Sequence, residues 1–94
     1  MANLHPSAHM RMNDEPWYYS QHAIEQLQRR GDITTKMVKE VILNFDRIEP
    51  SNNKRGLNGM RYCKNFGNKD LRVPVHIVDG VTIITTVMWG NRNG

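Results

Sequence analysis

Apolar residues recur along the chain at two different periods, and the change of period divides it. Over 20–30, Ala23, Ile24 and Leu27 fall at i, i+1 and i+4, a narrow stripe along a helix. Ser20 stands ahead of them as an N-cap, and Gly31 follows in the C′ position. Over 35–45, Met37, Val38, Val41, Ile42 and Phe45 form a wider stripe, with Lys36, Lys39 and Glu40 on the wet side and Thr34 as cap. The link 31–34 is short, so the two segments are predicted to form a helical hairpin.

Beyond Asp46 the period drops to two. Residues 46–49 predict a short strand, and 50–59, rich in Ser, Asn, Lys and Gly, a loop. Met60–Phe66, Leu71–Val78 and Val81–Trp89 predict three strands. Asp79-Gly80 is a two-residue hairpin turn of type I′. If the ladder runs on from that turn, paired residue numbers sum to 159. Leu71, Val73, Val75, Ile77, Ile84, Thr86 and Met88 then share the helix-packed face. Arg72, Pro74, His76, Ile83, Thr85 and Val87 share the other. Pro74 has no N–H to give a ladder, so it marks an edge or a bulge.

Trp17, Tyr18 and Tyr19 precede the first helix and are expected to staple its start to the core, with base stacking as the other use. Residues 1–15 are expected to be a flexible tail, 16–90 a single α+β domain, and 91–94 a second tail. The predicted architecture is α+β, an N-terminal helical hairpin packed on a three- to four-stranded antiparallel sheet.

Charge adds a direction. Residues 1–50 carry six Lys/Arg and seven Asp/Glu; residues 51–94 carry seven Lys/Arg and two Asp/Glu, and the whole chain is +4. A basic C-terminal half suits phosphate contact. One cysteine, Cys63, excludes an intrachain disulfide, and four scattered His fit no zinc-finger spacing. His5 and His9 are four apart, but Pro6 opposes the helix that would align them. No run of about 18 apolar residues predicts a membrane span. The first residues lack the apolar stretch of a secretory leader. A cytoplasmic protein without metal or cofactor is expected.

No phosphate loop, nucleophile elbow or metal-ligand cluster is present, so the candidate chemistry is a constellation. His22, in the first turn of the leading helix, can exchange a proton near neutral pH. Arg61 and Arg72 sit on predicted strands, where a cation can be preorganised. Lys54 and Arg55 sit on the predicted loop, and Lys64 and Lys69 beside the strands, where they can grip a backbone. RNA cleavage by its own 2′-hydroxyl needs such a set: a base for the hydroxyl proton, cations for the charge gained at phosphorus, and an acid for the leaving oxygen.

The string His22-Ala23-x-x-Gln26-Leu27-x-Arg29-Arg30-Gly31-x-Ile33 resembles the His-Ala-x-x-Arg-Met-x-x-Arg-Gly-Ile helix of a family of small proteins of unassigned function. That family is grouped with RelE-like toxins and the barnase–EndoU–colicin–RelE ribonuclease fold. Asp70-Leu71-Arg72-Val73-Pro74-Val75 and Ile83-Ile84-Thr85-Thr86-Val87 are similar to its closing hairpin. The resemblance covers about residues 18–89. It implies a RelE-like domain whose site residues map to His22, Arg30 and Thr86. Two positions depart from the pattern: Gln26 stands where the family has Arg, and Asp32 lengthens the link after Gly31. The resemblance implies a toxin-like, metal-independent ribonuclease, with RNA as substrate and an antitoxin or immunity protein as partner. The other reading is a non-catalytic RNA-binding or protein-interaction module on the same fold.

Overall fold

A computed structural model of the chain describes residues 9–10, 15–50 and 59–91. Lys54, Arg55 and His5 therefore lie outside the described residues, as does most of the predicted loop at 50–59.

Among the described residues, seven strands and two helices form in the order β1 (His9–Met10), β2 (Tyr18–Ser20), α1 (Gln21–Arg29), α2 (Thr35–Leu43), β3 (Arg47–Pro50), β4 (Gly59–Phe66), β5 (Lys69–Val78), β6 (Val81–Ile84) and β7 (Met88–Asn91). All strands join one sheet, in the order β1-β2-β6-β5-β4-β3, with β7 on β5 beside β6. The sheet is mixed: β2 runs parallel to β6, and every other pair is antiparallel.

The fold class expected from the pattern is corrected here. The protein is α+β, but it is not a helical hairpin on a three- to four-stranded antiparallel sheet. The sheet dominates, and the helices are nine residues each. α1 lies chiefly against β2, and α2 against β4 and β5. Each helix buries only two residues fully, Ala23 and Ile24 on α1 and Val38 and Val41 on α2. Stripes so narrow reach one neighbouring layer, and here that layer is the sheet.

Within the segment expected as a tail, His9 and Met10 pair with Ser20 and Tyr19 as an edge strand. Trp17 and Tyr19 do enter the core, Tyr19 from β2 and Trp17 from the bend before it, at 4% and 0% exposure. At that burial neither can stack on a base. Leu71, Val73, Val75, Ile84 and Val87 complete the core under the helices, with Ile33 closing one end.

Both helix caps form as expected. Ser20 Oγ accepts the Ala23 N–H, and Thr34 Oγ1 the Met37 N–H. At the hairpin turn, Asp79 and Gly80 have φ of 53° and 79°, the two positive angles a type I′ turn requires. Val75 pairs with Ile84 as the turn dictates.

The ladder then breaks. Val81–Trp89 is not one strand: residues 85–87 leave the sheet, and pairing resumes one residue out of step, with Arg72 opposite Met88 and Leu71 opposite Trp89. Pro74 is the cause. Its carbonyl accepts from both the Thr85 N–H and Thr85 Oγ1, at 3.0 and 3.3 Å. It has no N–H to return, so the Thr85 carbonyl needs another donor, and Ser20 Oγ supplies it at 3.1 Å. The extra residue changes the faces after the break. Val87, expected on the far face, is buried in the core, and Met88 moves opposite Arg72.

Ser20 thus caps α1 and closes the break with a single hydroxyl. Ser20→Ala is expected to lower stability by about 1–2 kcal/mol, at or above the upper part of the range for a cap alone, because the Thr85 carbonyl also loses its donor. Chemical denaturation measures it. A loss under about 0.3 kcal/mol would show that neither bond matters.

Candidate functional site

The sheet has two faces of different character. Odd-numbered residues of β5, Leu71, Val73 and Val75, point to the helices and are fully buried. Cross-strand partners share a face, so Arg61 (opposite Pro74), Cys63 (opposite Arg72), Arg47 (opposite Cys63) and Glu49 (opposite Arg61) lie on the far side with Asp70 and Arg72.

That far face is an ionic lattice. Arg47 stands 2.7 Å from Glu49 and 2.9 Å from Asp70, and Arg61 2.8 Å from Glu49. Asn65 Nδ2 donates to Asp70 Oδ1 at 3.2 Å. Burial pushes the Asp70 carboxyl up, but the bonds from Asn65 and Arg47 and the charges of Arg47 and Arg72 outweigh it and hold it below its ordinary value. The Arg47 bond, assisted by Arg61 against desolvation, likewise holds Glu49 low. Arg47 is held above its ordinary value by Glu49 and Asp70. Cys63 is buried, and desolvation together with the Glu49 charge pushes its thiol up, so it packs rather than reacts. Arg72 lies across Gly90, where an added Cβ would run into its guanidinium.

The helix side carries the other candidates. His22, Gln26, Arg29 and Arg30 recur at i, i+4, i+7 and i+8 and line an open hollow of about 220 Å³. His22, Arg29 and Arg30 are exposed, and Gln26 is half-buried. Arg30 is the C-cap of α1, its N–H returning to the Gln26 carbonyl at 2.8 Å. Two cations at this end suit the helix dipole.

Thr86 joins this group through the strand break. Its hydroxyl donates to Gln26 Oε1, and the Val87 N–H donates to the same oxygen at 2.9 Å. Thr86 therefore spends its proton on Gln26 and positions that side chain. The expected convergence of His22 with Arg61 and Arg72 does not occur: His22, Gln26, Arg30 and Thr86 share the helix side, and the two strand arginines lie across the sheet.

The remaining cations also separate. Lys64 Nζ donates to the Asn44 carbonyl at 3.0 Å and lies 3.9 Å from both Glu40 and Asp46, so it closes the end of α2. Lys69 stands over the Trp89 ring at 5.7 Å. Trp89 Nε1 donates to Asp32 at 2.9 Å, and Asp32 is two residues past Arg30. Lys69 and the half-buried Trp89 thus extend the basic surface beyond α1. Tyr62 faces the core side, edge-on to Phe45 at 5.3 Å. Among the described residues, no group of three or more His, Cys, Asp or Glu could hold a metal ion, and no helix is long and apolar enough to cross a membrane.

A scan against known families matches residues 19–89 to a domain of unknown function (DUF4258). The chain belongs to the DUF4258 family. The matched span runs from β2 into β7 and holds His22, Gln26, Arg30 and Thr86 together. No curated protein and no solved structure matches the chain, and the DUF4258 description carries no activity.

Sequence reasoning passed over two contributors. Arg29 was legible as a last-turn cation, but that it shares the hollow depends on the helix phase. Gln26 was legible as i+4 from His22; that it is held from the sheet depends on the break at Pro74.

Proposed function

We propose that this protein is a toxin-like, metal-independent endoribonuclease that works in the cytoplasm from the exposed face of α1. The gathering of His22, Gln26, Arg29 and Arg30 around one open hollow carries the proposal. An imidazole beside two guanidinium groups is a sufficient minimum for transesterification of RNA. His22 takes the proton of a 2′-hydroxyl as its oxygen attacks the adjacent phosphorus. Arg29 and Arg30 offset the charge gained on the non-bridging oxygens. The bond from phosphorus to the 5′-oxygen breaks, leaving a 2′,3′-cyclic phosphate, and the proton held on His22 passes to the departing oxygen. Lys69 and Trp89 would take the neighbouring nucleotide by charge and stacking. The resemblance of the helix motif to a family of unassigned function that is grouped with RelE-like toxins points the same way. A cell making such an enzyme needs a neutralising antitoxin or immunity protein.

The test is incubation of the protein with single-stranded RNA in EDTA, followed by analysis of the new ends. Cleavage leaving 2′,3′-cyclic phosphate is expected. His22→Ala should lower the rate by about 100-fold or more, Arg30→Ala should also lower it, and the surface control Lys39→Ala should leave it unchanged. Intact RNA, or equal cleavage by His22→Ala and the parent, would overturn the proposal.

A second reading is RNA binding without cleavage. It is favoured by the placement of Arg61 and Arg72 in the far ionic lattice, which leaves His22 with fewer cations than expected. Salt-sensitive binding with no product would identify it.

A further inference from the structure

We infer that the Gln26 side-chain amide is a fixed donor for a phosphate oxygen in the α1 hollow, and that the strand break at 85–87 exists in part to aim it. The inference rests on the proposed RNA-directed reading of that hollow and adds the group that orients the phosphate.

The orientation of the amide is set by chemistry. The Val87 N–H can only donate, so the Gln26 atom facing it at 2.9 Å must be the carbonyl oxygen. The Thr86 hydroxyl donates to the same Oε1. With both of these donors on one oxygen, the planar amide is held from the sheet. Its Nε2, carrying two N–H groups, is then on the side of the amide away from those two donors, and Gln26 lines the hollow with His22, Arg29 and Arg30. Among the described residues none accepts from Nε2, and Gln26 is half-buried. A held, partly dehydrated donor between an imidazole and two guanidinium groups suits an anionic oxygen.

The strand break makes this possible. An unbroken ladder would send the Val87 N–H to a neighbouring strand or to solvent. The one-residue excess at Thr85–Val87, forced by Pro74 and closed by Ser20, turns the Thr86 hydroxyl and the Val87 N–H to α1 together. Gln26 therefore fills a position where the resembling family has a cation, using a neutral group made directional by its supports.

Three variants and two readouts test this. Gln26→Met keeps the length and loses the donor. Gln26→Glu keeps an acceptor for Thr86 and Val87 but turns a second oxygen to the hollow. Thr86→Val keeps the shape and removes one support. Single-stranded RNA oligonucleotide binding is expected to weaken by about tenfold in Gln26→Met, more in Gln26→Glu and less in Thr86→Val. Thermal unfolding of each variant, run alongside, separates misfolding from loss of a donor. The second readout needs no RNA. In the parent protein, the Gln26 side-chain amide signals in nitrogen-15 NMR should shift on titration with inorganic phosphate, and the shift should diminish in Thr86→Val. RNA binding and cleavage with unmoved Gln26 signals and a parent-like Gln26→Met would overturn this inference while leaving the ribonuclease reading intact. A phosphate-dependent Gln26 shift in a protein that neither binds nor cleaves RNA would overturn that reading and leave an oxyanion site. Unmoved signals with no RNA binding would overturn both.

Discussion

Asp70→Ala is expected to cost about 3 kcal/mol of stability and to flatten the acid limb of the pH–stability curve. Asp70 is 2% exposed, on the sheet face away from the helices. It is the carboxylate between Arg47, 2.9 Å away, and Asn65, with the Arg72 charge beside it. Removing it leaves the guanidinium charges on that face short of a counter-charge, the situation in which a buried pair is most expensive to break. The figure sits at the lower end of the usual range because the Arg47 side chain is 41% exposed and keeps Glu49.

The pH dependence follows from the direction of the shifts. Asp70 is held below its ordinary 3.8 and Glu49 below 4.5 in the folded protein. A carboxyl held low contributes stability that is fully present above its unfolded value and lost as pH falls through its folded value. The parent should therefore weaken progressively below about pH 4.5 as Glu49 and Asp70 take up protons. Asp70→Ala should lose the Asp70 share of that slope. Denaturant titrations across pH 2–7 measure both effects. A variant within about 0.5 kcal/mol of the parent, with the same slope, would show that the lattice is a surface feature of no consequence.

Tyr19→Ala is expected to cost about 4 kcal/mol, the largest single loss in the molecule. The ring is fully buried between β1 and β6, paired with Met10 and Ile84. Its hydroxyl donates to Glu15 Oε1 at 3.1 Å and accepts from Trp17 Nε1 at 3.4 Å. Burial, with the Glu15 charge acting the same way against the Trp17 bond, pushes the phenol well above its ordinary range. Truncation opens a cavity and strands Glu15, itself 4% exposed, without its donor. A domain of this size has about 5–15 kcal/mol in all, so the variant should be substantially less resistant to heat and denaturant. Tyr19→Phe isolates the polar part and should cost about 1–2 kcal/mol. Equal midpoints for Tyr19→Ala and Tyr19→Phe would contradict the packing role.

These two residues also mark what could be read from the chain. Local signals held: the Ser20 and Thr34 caps, both helices within two residues at either end, and the Asp79-Gly80 turn depend on neighbours a few positions away. Tyr19 did not, because its strand is three residues long and its partner Ile84 is 65 positions later. A parallel pairing leaves no turn to announce it. Trp17 and Tyr19 do alternate with Tyr18, but three residues cannot outweigh the helix they adjoin. The site separated for a related reason. Pro74 flagged an irregularity, yet its missing N–H fixes neither which strand takes up the slack nor which way Thr86 and Val87 turn. Strand parity alone was enough to put Arg72 across from the helix-packed face. The matching error was to expect His22 to look over that same side.

The pairing of β2 with β6 has an outcome for how the protein comes into being. β2 finds its neighbour only in Ile83 and Ile84, 65 positions later in the chain. Until the ribosome has delivered them, Trp17 and Tyr19 have no sheet to enter, and α1 is without the layer it covers. The hollow on α1 depends on that layer through Thr86 and Val87. A nascent chain not yet extended past Val87 thus lacks the assembled face, and whatever that face does begins only once β6 and the break after it have formed.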